Sequence, residues 1–250
     1  MLIIPAIDLK GGRCVRLVEG REESAKVYDR DPVEVAREYE RAGAKLIHVV
    51  DLDGAFPGAT SENQKIIRRI IEETRVPVEV GGGIRSLEDI DHLLNRVGAR
   101  YCIVGTLAVE EPDTLRRAVE KFGDSVIVGI DARETSVAVR GWTADARLDA
   151  LALARQVADM GVGRIIYTDI TRDGRLEGPN LKTTAEIARA LQASRARVTA
   201  SGGVGSLEDI ARLSALEDEG VDSVIIGKAL YESRFSLEEA IAAAGRASTG

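Results

Sequence analysis

Two aspartates, Asp8 and Asp131, follow apolar runs that resemble each other, Ile-Pro-Ala-Ile before the first and Ile-Val-Gly-Ile before the second. Side chains alternate along a strand, so each aspartate shares a face with the residues two and four positions before it. Two carboxyl groups on opposite sides of a ligand suit general acid–base chemistry, in which one gives a proton and the other takes one. For a single aspartate, the alternative is that it caps a helix or pairs with an arginine. The occurrence of two equivalent aspartates disfavours this alternative.

Other polar groups follow ends of the same kind of run. Thr168 can hydrogen-bond an oxygen atom or help to place Asp131, and Asp173 can bind a ligand or hold a nearby arginine or its own loop. Trp142, the only tryptophan, can stack on a planar heterocycle or simply pack. Arg16 can contact a phosphate or a carbonyl oxygen. We predict that all of these belong to one site.

A ten-residue segment occurs twice in the chain. Residues 81–90 read GGGIRSLEDI and residues 201–210 read SGGVGSLEDI. Each follows an apolar run and ends in Ser-Leu-Glu-Asp, which is typical of a helix start with serine as the N-cap. Backbone N–H groups at a helix start, reached through glycines, form an anion site. The alternative is that the glycines only permit a tight turn.

The two copies predict two phosphate sites on a duplicated chain. The predicted phosphate-binding residues are Gly82, Gly83 and Thr106 in the first half and Gly202, Gly203, Gly227 and Lys228 in the second. Two such sites across one opening imply a long ligand with a phosphate at each end, which would hold the reacting carbon midway between Asp8 and Asp131. The first copy has Gly81 and Arg85 where the second has Ser201 and Gly205, so these positions are predicted to distinguish the ligand's two ends.

Short β-branched runs alternate with amphipathic segments along the chain. The predicted strands are residues 2–7, 45–50, 77–80, 100–104, 125–130, 164–167, 197–200 and 222–226. The predicted helices are residues 32–42, 62–73, 87–95, 112–121, 148–160, 181–193, 207–216 and 237–244. Eight such βα units indicate an α/β fold, a (β/α)8 TIM barrel, with its active site at the carboxyl ends of the strands. An open doubly wound sheet, the alternative, more often shows one glycine fingerprint.

The internal repeat extends beyond the glycine segments. Extra strand-like runs at residues 13–18 and 136–140 follow the first and fifth strands, and the pair Asp51 and Asn63 matches the pair Asp169 and Asn180. Internal repeats report how a fold is built. We therefore predict one domain, residues 1–250, with two-fold duplicated half-barrels at about residues 1–122 and 123–250.

Composition narrows the class of protein. The 250 residues are 44% hydrophobic but only 4% aromatic, which predicts an aliphatic core, and the net charge of −7 argues against a nucleic-acid surface. The first residues contain neither a basic leader nor a long apolar run, so we predict a cytoplasmic protein without membrane contact. Cys14 and Cys102 are predicted to be buried free thiols. They form no metal-ligand spacing with His48 and His92, and His48 is predicted to be a buried, hydrogen-bonded imidazole.

Six segments together resemble the isomerase family of histidine biosynthesis: residues 5–9 (PAIDL), 48–52 (HVVDL), 81–85 (GGGIR), 168–174 (TDITRDG), 178–180 (GPN) and 201–204 (SGGV). The resemblance covers essentially the whole chain. It implies a duplicated (β/α)8 barrel that converts the aminoaldose phosphoribosylformimino-5-aminoimidazole carboxamide ribotide (ProFAR) to the aminoketose PRFAR without a cofactor. It also implies that Asp8 and Asp131 are the base and acid pair, assisted by Thr168. We expect a monomer whose partner is this small bisphosphorylated substrate.

Related functions remain as alternatives. The cyclase of the same pathway typically has cysteine and lysine where this chain has Ala6 and Arg16, so that function is disfavoured. A bifunctional isomerase that also acts on phosphoribosyl anthranilate tends to have serine in place of Gly81, although the segments after Thr168 resemble it too. A barrel that binds phosphometabolites without catalysis is disfavoured by the intact aspartate pair.

Overall fold

The computed structural model describes residues 1–55 and 61–247. Its strands, in chain order, are β1 (Leu2–Lys10), β2 (Arg13–Val18), β3 (Arg21–Val27), β4 (Ile47–Asp51), β5 (Val78–Gly81), β6 (Tyr101–Val104), β7 (Val126–Arg133), β8 (Ser136–Val139), β9 (Ala144–Asp149), β10 (Arg164–Asp169), β11 (Arg197–Ser201) and β12 (Val221–Ile226). Eight of them form a closed parallel ring in the order β1, β4, β5, β6, β7, β10, β11, β12, with β12 pairing back to β1. This ring confirms the predicted barrel.

Helices follow the strands of the ring and cover its outside. They are α1 (Pro32–Arg41), α2 (Leu52–Ala55), α3 (Ser61–Glu73), α4 (Leu87–Asp91), α5 (Thr106–Glu110), α6 (Pro112–Phe122), α7 (Ala150–Asp159), α8 (Leu181–Ala190), α9 (Leu207–Ser214), α10 (Lys228–Tyr231) and α11 (Leu237–Ala247). The main apolar core lies between these helices and the strands, as expected for parallel strands covered on both faces.

A second, smaller apolar cluster fills the inside of the ring. Its buried members are Ile4, Ala6, Leu46, Ile127, Ile166 and Ile225. Polar side chains share this interior: the Arg164 guanidinium donates to Asp222 at 2.6 and 2.9 Å and to Ser223 at 2.7 Å. The inside of the barrel is therefore a packed core. In this fold the active site lies at the carboxyl ends of the strands.

The two halves repeat local backbone geometry. Ser86 (φ −142°, ψ 166°) and Ser206 (φ −146°, ψ 162°) cap α4 and α9, each accepting a hydrogen bond from the backbone N–H three residues on, as predicted. Gly105 (φ −114°, ψ −84°) and Gly227 (φ −111°, ψ −90°) precede α5 and α10 with matching dihedrals. The division into half-barrels near residue 122 stays a prediction.

The two extra strands after β1 and β7 are the first strands of antiparallel hairpins, β2–β3 and β8–β9. The sequence predicted β2 and β8 but missed β3 and β9. The sequence of β3, REESAKV, is mostly polar, and the alternating apolar face of β9, ADARLD, consists of two alanines and one leucine, which are weak signals for a strand. The predicted helix at 148–160 consequently begins at Ala150, after the end of β9. The predicted helix at 87–95 is α4 continued by a π-helical stretch, His92–Val97.

The structure also bears on the predictions about the two cysteines, His48 and membrane contact. Cys14 and Cys102 are buried free thiols, as predicted. His48 is held by a buried partner, with 2.7 Å between its Nδ1 and Glu79 Oε1, which confirms a hydrogen-bonded imidazole. Among the described helices, none is long and apolar enough to cross a lipid bilayer.

Candidate active site

Asp8 and Asp131 occupy facing strands at the open end of the barrel. Asp8 lies on β1 and Asp131 on β7, which are separated by three strands of the ring in either direction. Ile4 and Ala6 on β1 and Ile127 on β7 belong to the inner cluster, so strand alternation directs both aspartates to the inside of the ring. The structure therefore places the two carboxyl groups as the sequence predicted, on opposite sides of one opening.

Arg16, on β2, holds Asp8. Its Nη1 donates to Asp8 Oδ2 at 2.6 Å, and its Nη2 donates to the Ala6 carbonyl oxygen. Burial by itself lowers the pKa of Arg16, but the surrounding groups, with the Asp8 carboxylate first among them, together outweigh burial and raise the pKa above its ordinary value. Arg16 is only 7% exposed, so its guanidinium is directed at Asp8 rather than outward. A contact with a phosphate stays a prediction.

Asp131 is held from two sides. The Trp142 indole Nε1 donates to Asp131 Oδ2 at 2.7 Å, and Thr168, its register partner on β10, also donates to the carboxyl group. Burial raises the pKa of Asp131 above its ordinary value, and these two hydrogen bonds partly oppose that shift. Thr168 thus helps to place Asp131, and Trp142 contacts the carboxyl group directly instead of only packing.

Asp173 is a third carboxyl group at the opening, on the loop after β10. Burial and the nearby Asp8 raise its pKa to about 7, while the positive charge of Arg16 opposes the shift. The loop is tied to the β2–β3 hairpin, because the Glu19 N–H donates to the Asp173 carbonyl oxygen at 3.2 Å. Asp173 can therefore exchange a proton near neutral pH beside the predicted catalytic pair.

The twin glycine loops pack against the loops that precede them. Gly83 has φ +70° and Gly203 has φ +89°, and a Cβ atom there would lie 2.3 Å from the Gly54 carbonyl oxygen and 2.4 Å from the Gly178 carbonyl oxygen, respectively. Packing alone therefore requires glycine at these positions in both halves, because residues with a side chain disfavour positive φ and the space for a Cβ atom is occupied by backbone. Phosphate binding at Gly82, Gly83, Gly202 and Gly203 stays a prediction.

Replacing Gly203 with alanine is expected to destabilise the fold by about 1–3 kcal/mol, because the new methyl group meets backbone at a positive φ. The measurement is the free energy of unfolding in urea. Gly245→Ala is the matched control, since Gly245 is exposed on α11 with nothing within 4 Å of the added Cβ. An unchanged free energy of unfolding for Gly203→Ala would show that the two loops do not pack as described.

Three predicted phosphate residues contact neighbouring loops. The Thr106 hydroxyl accepts from the Arg140 backbone N–H at 2.8 Å, which ties α5 to the β8–β9 hairpin. The Lys228 amino group donates to the Gly174 carbonyl oxygen at 2.6 Å, beside Asp173. Gly227 lies against the Arg16 guanidinium. These residues border the opening, and their contact with a phosphate stays a prediction.

The repeated Asp–Asn pairs are hydrogen-bonded in both halves. The Asn63 amide donates to Asp51 Oδ1 at 2.7 Å, and the Asn180 amide donates to Asp169 Oδ2 at 2.7 Å. The Asp51 carboxylate also accepts from the Gly54 N–H at 3.0 Å, so it stabilises the loop that follows β4. Asp169 likewise stabilises its own loop, accepting from the Thr171 N–H and hydroxyl.

Two side chains near the site were missed by the sequence reasoning. Glu79 interrupts an apolar strand at an inward position, and that pattern is the signal that would have found it as the partner of His48. Tyr231, at the end of α10, carries no motif. It is recognised only from its contact with Arg16, whose Cζ lies 4.9 Å from the ring centroid.

Residues 2–236 of the chain match the family model described as histidine biosynthesis protein. A protein of Moorella thermoacetica is 48% identical over 244 residues, covering 98% of each chain. One of Desulforamulus reducens is 49% identical over 241 residues, covering 96% of each chain. One of Desulfitobacterium hafniense is 47% identical over 252 residues, covering 100% of each chain.

All three relatives carry the same name, 1-(5-phosphoribosyl)-5-((5-phosphoribosylamino)methylideneamino)imidazole-4-carboxamide isomerase. The compound in that name is the one abbreviated ProFAR. The match to the family model covers nearly all of the described residues and both glycine loops. The chain belongs to the histidine biosynthesis protein family.

Proposed function

We propose that this chain is an isomerase that converts the aminoaldose ProFAR to the aminoketose PRFAR. The observation that carries the proposal is the pair of inward-facing aspartates on facing strands, Asp8 held by Arg16 and Asp131 held by Trp142. The names of the full-length relatives support the same reaction. The twin loops at residues 81–85 and 201–205 border the same opening and would bind a phosphate at each end of the substrate.

The reaction is an Amadori rearrangement. An acid protonates the ring oxygen of the ribosylamine, the bond from that oxygen to the anomeric carbon breaks, and the nitrogen lone pair forms a C=N bond. A base then removes the proton from the neighbouring carbon. The anomeric carbon finally gains a proton while the neighbouring hydroxyl becomes a carbonyl. Atoms and electrons balance within the substrate, so the reaction needs only proton transfer.

The two aspartates differ in the ways these steps require. Asp8 is ion-paired with Arg16, which holds its carboxyl group in place for the role of the base. Burial raises the pKa of Asp131, which favours the protonated form that suits the acid. Thr168 positions Asp131. Asp173, with its pKa near 7, lies where it can bind the substrate and carry a proton between steps.

A second candidate function is the bifunctional isomerase that also acts on phosphoribosyl anthranilate. The loop from Thr168 to Gly174 and the segment at residues 178–180 favour it, whereas Gly81 at the end of β5 favours the single substrate. We favour the single substrate. In both proposals the enzyme is a monomer in the cytoplasm. The reducing conditions of that compartment are consistent with the two buried free thiols.

One assay tests both functions. The purified protein is mixed with ProFAR and, separately, with phosphoribosyl anthranilate, and the products are followed by absorbance and fluorescence. Conversion of ProFAR alone is the expected result. Conversion of both would establish the bifunctional enzyme, and ligand binding without conversion of either would leave a non-catalytic barrel.

A further inference from the structure

The guanidinium of Arg16 is held by hydrogen bonds at only one edge. Its Nη1 and Nη2 donate to Asp8 and to the Ala6 carbonyl oxygen, whereas its buried Nε has no hydrogen-bond partner among the described residues. Two bonds along one edge leave the tilt of the plane undetermined. Something else must fix that tilt if Asp8 is to keep one orientation.

The ring of Tyr231 supplies a face for this plane. Arg16 Cζ lies 4.9 Å from the Tyr231 ring centroid, within cation–π distance. The ring is itself supported by Tyr28, with 4.8 Å between the ring centroids, and the Tyr28 hydroxyl is bonded to Glu232, the residue after Tyr231. The hydroxyl of Tyr231 has no partner of ordinary geometry within the described chain. What Tyr231 offers Arg16 is therefore its ring.

The backbone before α10 contacts the same guanidinium. A Cβ atom at Gly227 would lie 2.5 Å from Arg16 Cζ, so the guanidinium fits only because this position is a glycine. Gly227 and Tyr231 stand at the two ends of α10, whose first residue is Lys228. The helix that begins in a predicted phosphate loop thus contacts, at both ends, the cation that holds Asp8.

We propose that Tyr231 is a positioning residue for the isomerisation: its ring fixes the Arg16 guanidinium, and Arg16 in turn fixes the Asp8 carboxylate. This inference rests on the proposed function, because it concerns the residue proposed as the base. Loss of the ring would leave a buried cation free to tilt, and small displacements of a reacting group lower turnover strongly. The defect is expected mainly in kcat and not in KM, because the group that would be displaced is the proposed base and not a predicted phosphate contact.

Two variants of Tyr231 separate the ring from the hydroxyl. Tyr231→Phe keeps the ring and is expected to retain kcat for ProFAR within about twofold of the wild type. Tyr231→Leu removes the ring and is expected to lower kcat by about 10- to 100-fold, with KM and inhibition by inorganic phosphate little changed. Tyr101→Leu is the matched control, because Tyr101 is a half-buried tyrosine that contacts Arg100, away from Asp8, with 4.8 Å between Arg100 Cζ and its ring centroid.

A double-mutant cycle shows whether the effect passes through Arg16. In an Arg16→Met background, Tyr231→Leu is expected to cause little further loss of kcat. Urea unfolding verifies that each variant is folded, and Tyr231→Met replaces Tyr231→Leu if the latter does not fold. The inference is overturned if the ring-free variant keeps wild-type kcat, or if its loss is undiminished in the Arg16→Met background. Failure of the wild type to convert ProFAR would instead overturn the proposed function.

Discussion

Replacing Asp8 with asparagine is expected to lower kcat for ProFAR by about 10²–10⁴-fold, because the amide cannot accept the substrate proton. Asp131→Asn is expected to cause a loss of similar size, since the amide cannot donate the proton that opens the ring. Both variants should bind phosphate-bearing ligands as the wild type does, because neither carboxyl group lies in a glycine loop. Steady-state kinetics and calorimetric titration with PRFAR measure the two properties.

A nearby carboxylate provides the control for these variants. Asp53 lies after β4 and accepts from the Gly11 N–H at 2.7 Å and from the Asn63 amide at 3.0 Å, so it ties the turn after β1 to α3. Asp53→Asn should therefore keep kcat within a few-fold of the wild type. If Asp8→Asn and Asp131→Asn both retained near-normal turnover, the proposed chemistry would be wrong.

Asp173→Asn is expected to stabilise the protein at pH 8 by up to about 4 kcal/mol, the equivalent of raising the pKa from 3.8 to about 7 in the folded state. The folded state binds this proton more tightly than the unfolded state. The stabilisation from Asp173 is thus complete below pH 4 and is lost as the pH rises to about 7. Asparagine resembles the protonated form at every pH, so its advantage over the wild type should grow across that interval and then stay constant.

Urea unfolding of Asp173→Asn and the wild type at several values between pH 4 and pH 8 measures this difference. The same variant is expected to lower kcat, because a carboxyl group at a reaction site is often kept at a cost in stability. Equal stability of the two proteins at pH 4 and at pH 8 would show that the pKa of Asp173 is not raised. A stabilised variant with normal kcat would limit Asp173 to a role outside catalysis.

The ring of strands and the helix starts were predictable because their signals are local. An aliphatic run, a serine before Leu-Glu-Asp and a proline after Asp31 each determine a backbone conformation within a few residues. The placement of Asp8 and Asp131 followed from strand alternation once the barrel was recognised. The internal repeat further indicated that the two strands lie on opposite sides of the ring, because equivalent strands of the two halves are four positions apart.

The contacts between distant segments were not predictable in the same way. Arg16 was expected to contact a phosphate or a carbonyl oxygen, which stays a prediction. Its contact with Asp8 was not foreseen, because it arises where the chain turns β2 back along β1. Hairpin strand β3 was missed because its sequence is mostly polar, and β9 was missed because its apolar face contains two alanines and a leucine and no β-branched residue. Tyr231 stands next to no motif, and its contact with Arg16 exists only because α10 lies beside β2.

The contact between Trp142 and Asp131 has an optical consequence. The indole lies between this carboxyl group, at 2.7 Å, and Gly20 of the β2–β3 hairpin, where an added Cβ would be 2.2 Å from the ring. A substrate that takes a proton from Asp131 Oδ2 has to displace the indole from that hydrogen bond. Because Trp142 is the only tryptophan in the chain, stopped-flow emission of the unlabelled enzyme is expected to change when ProFAR enters and to return when product leaves. A signal that stays constant through turnover would mean that the indole keeps its place and that the proton reaches the substrate by another route.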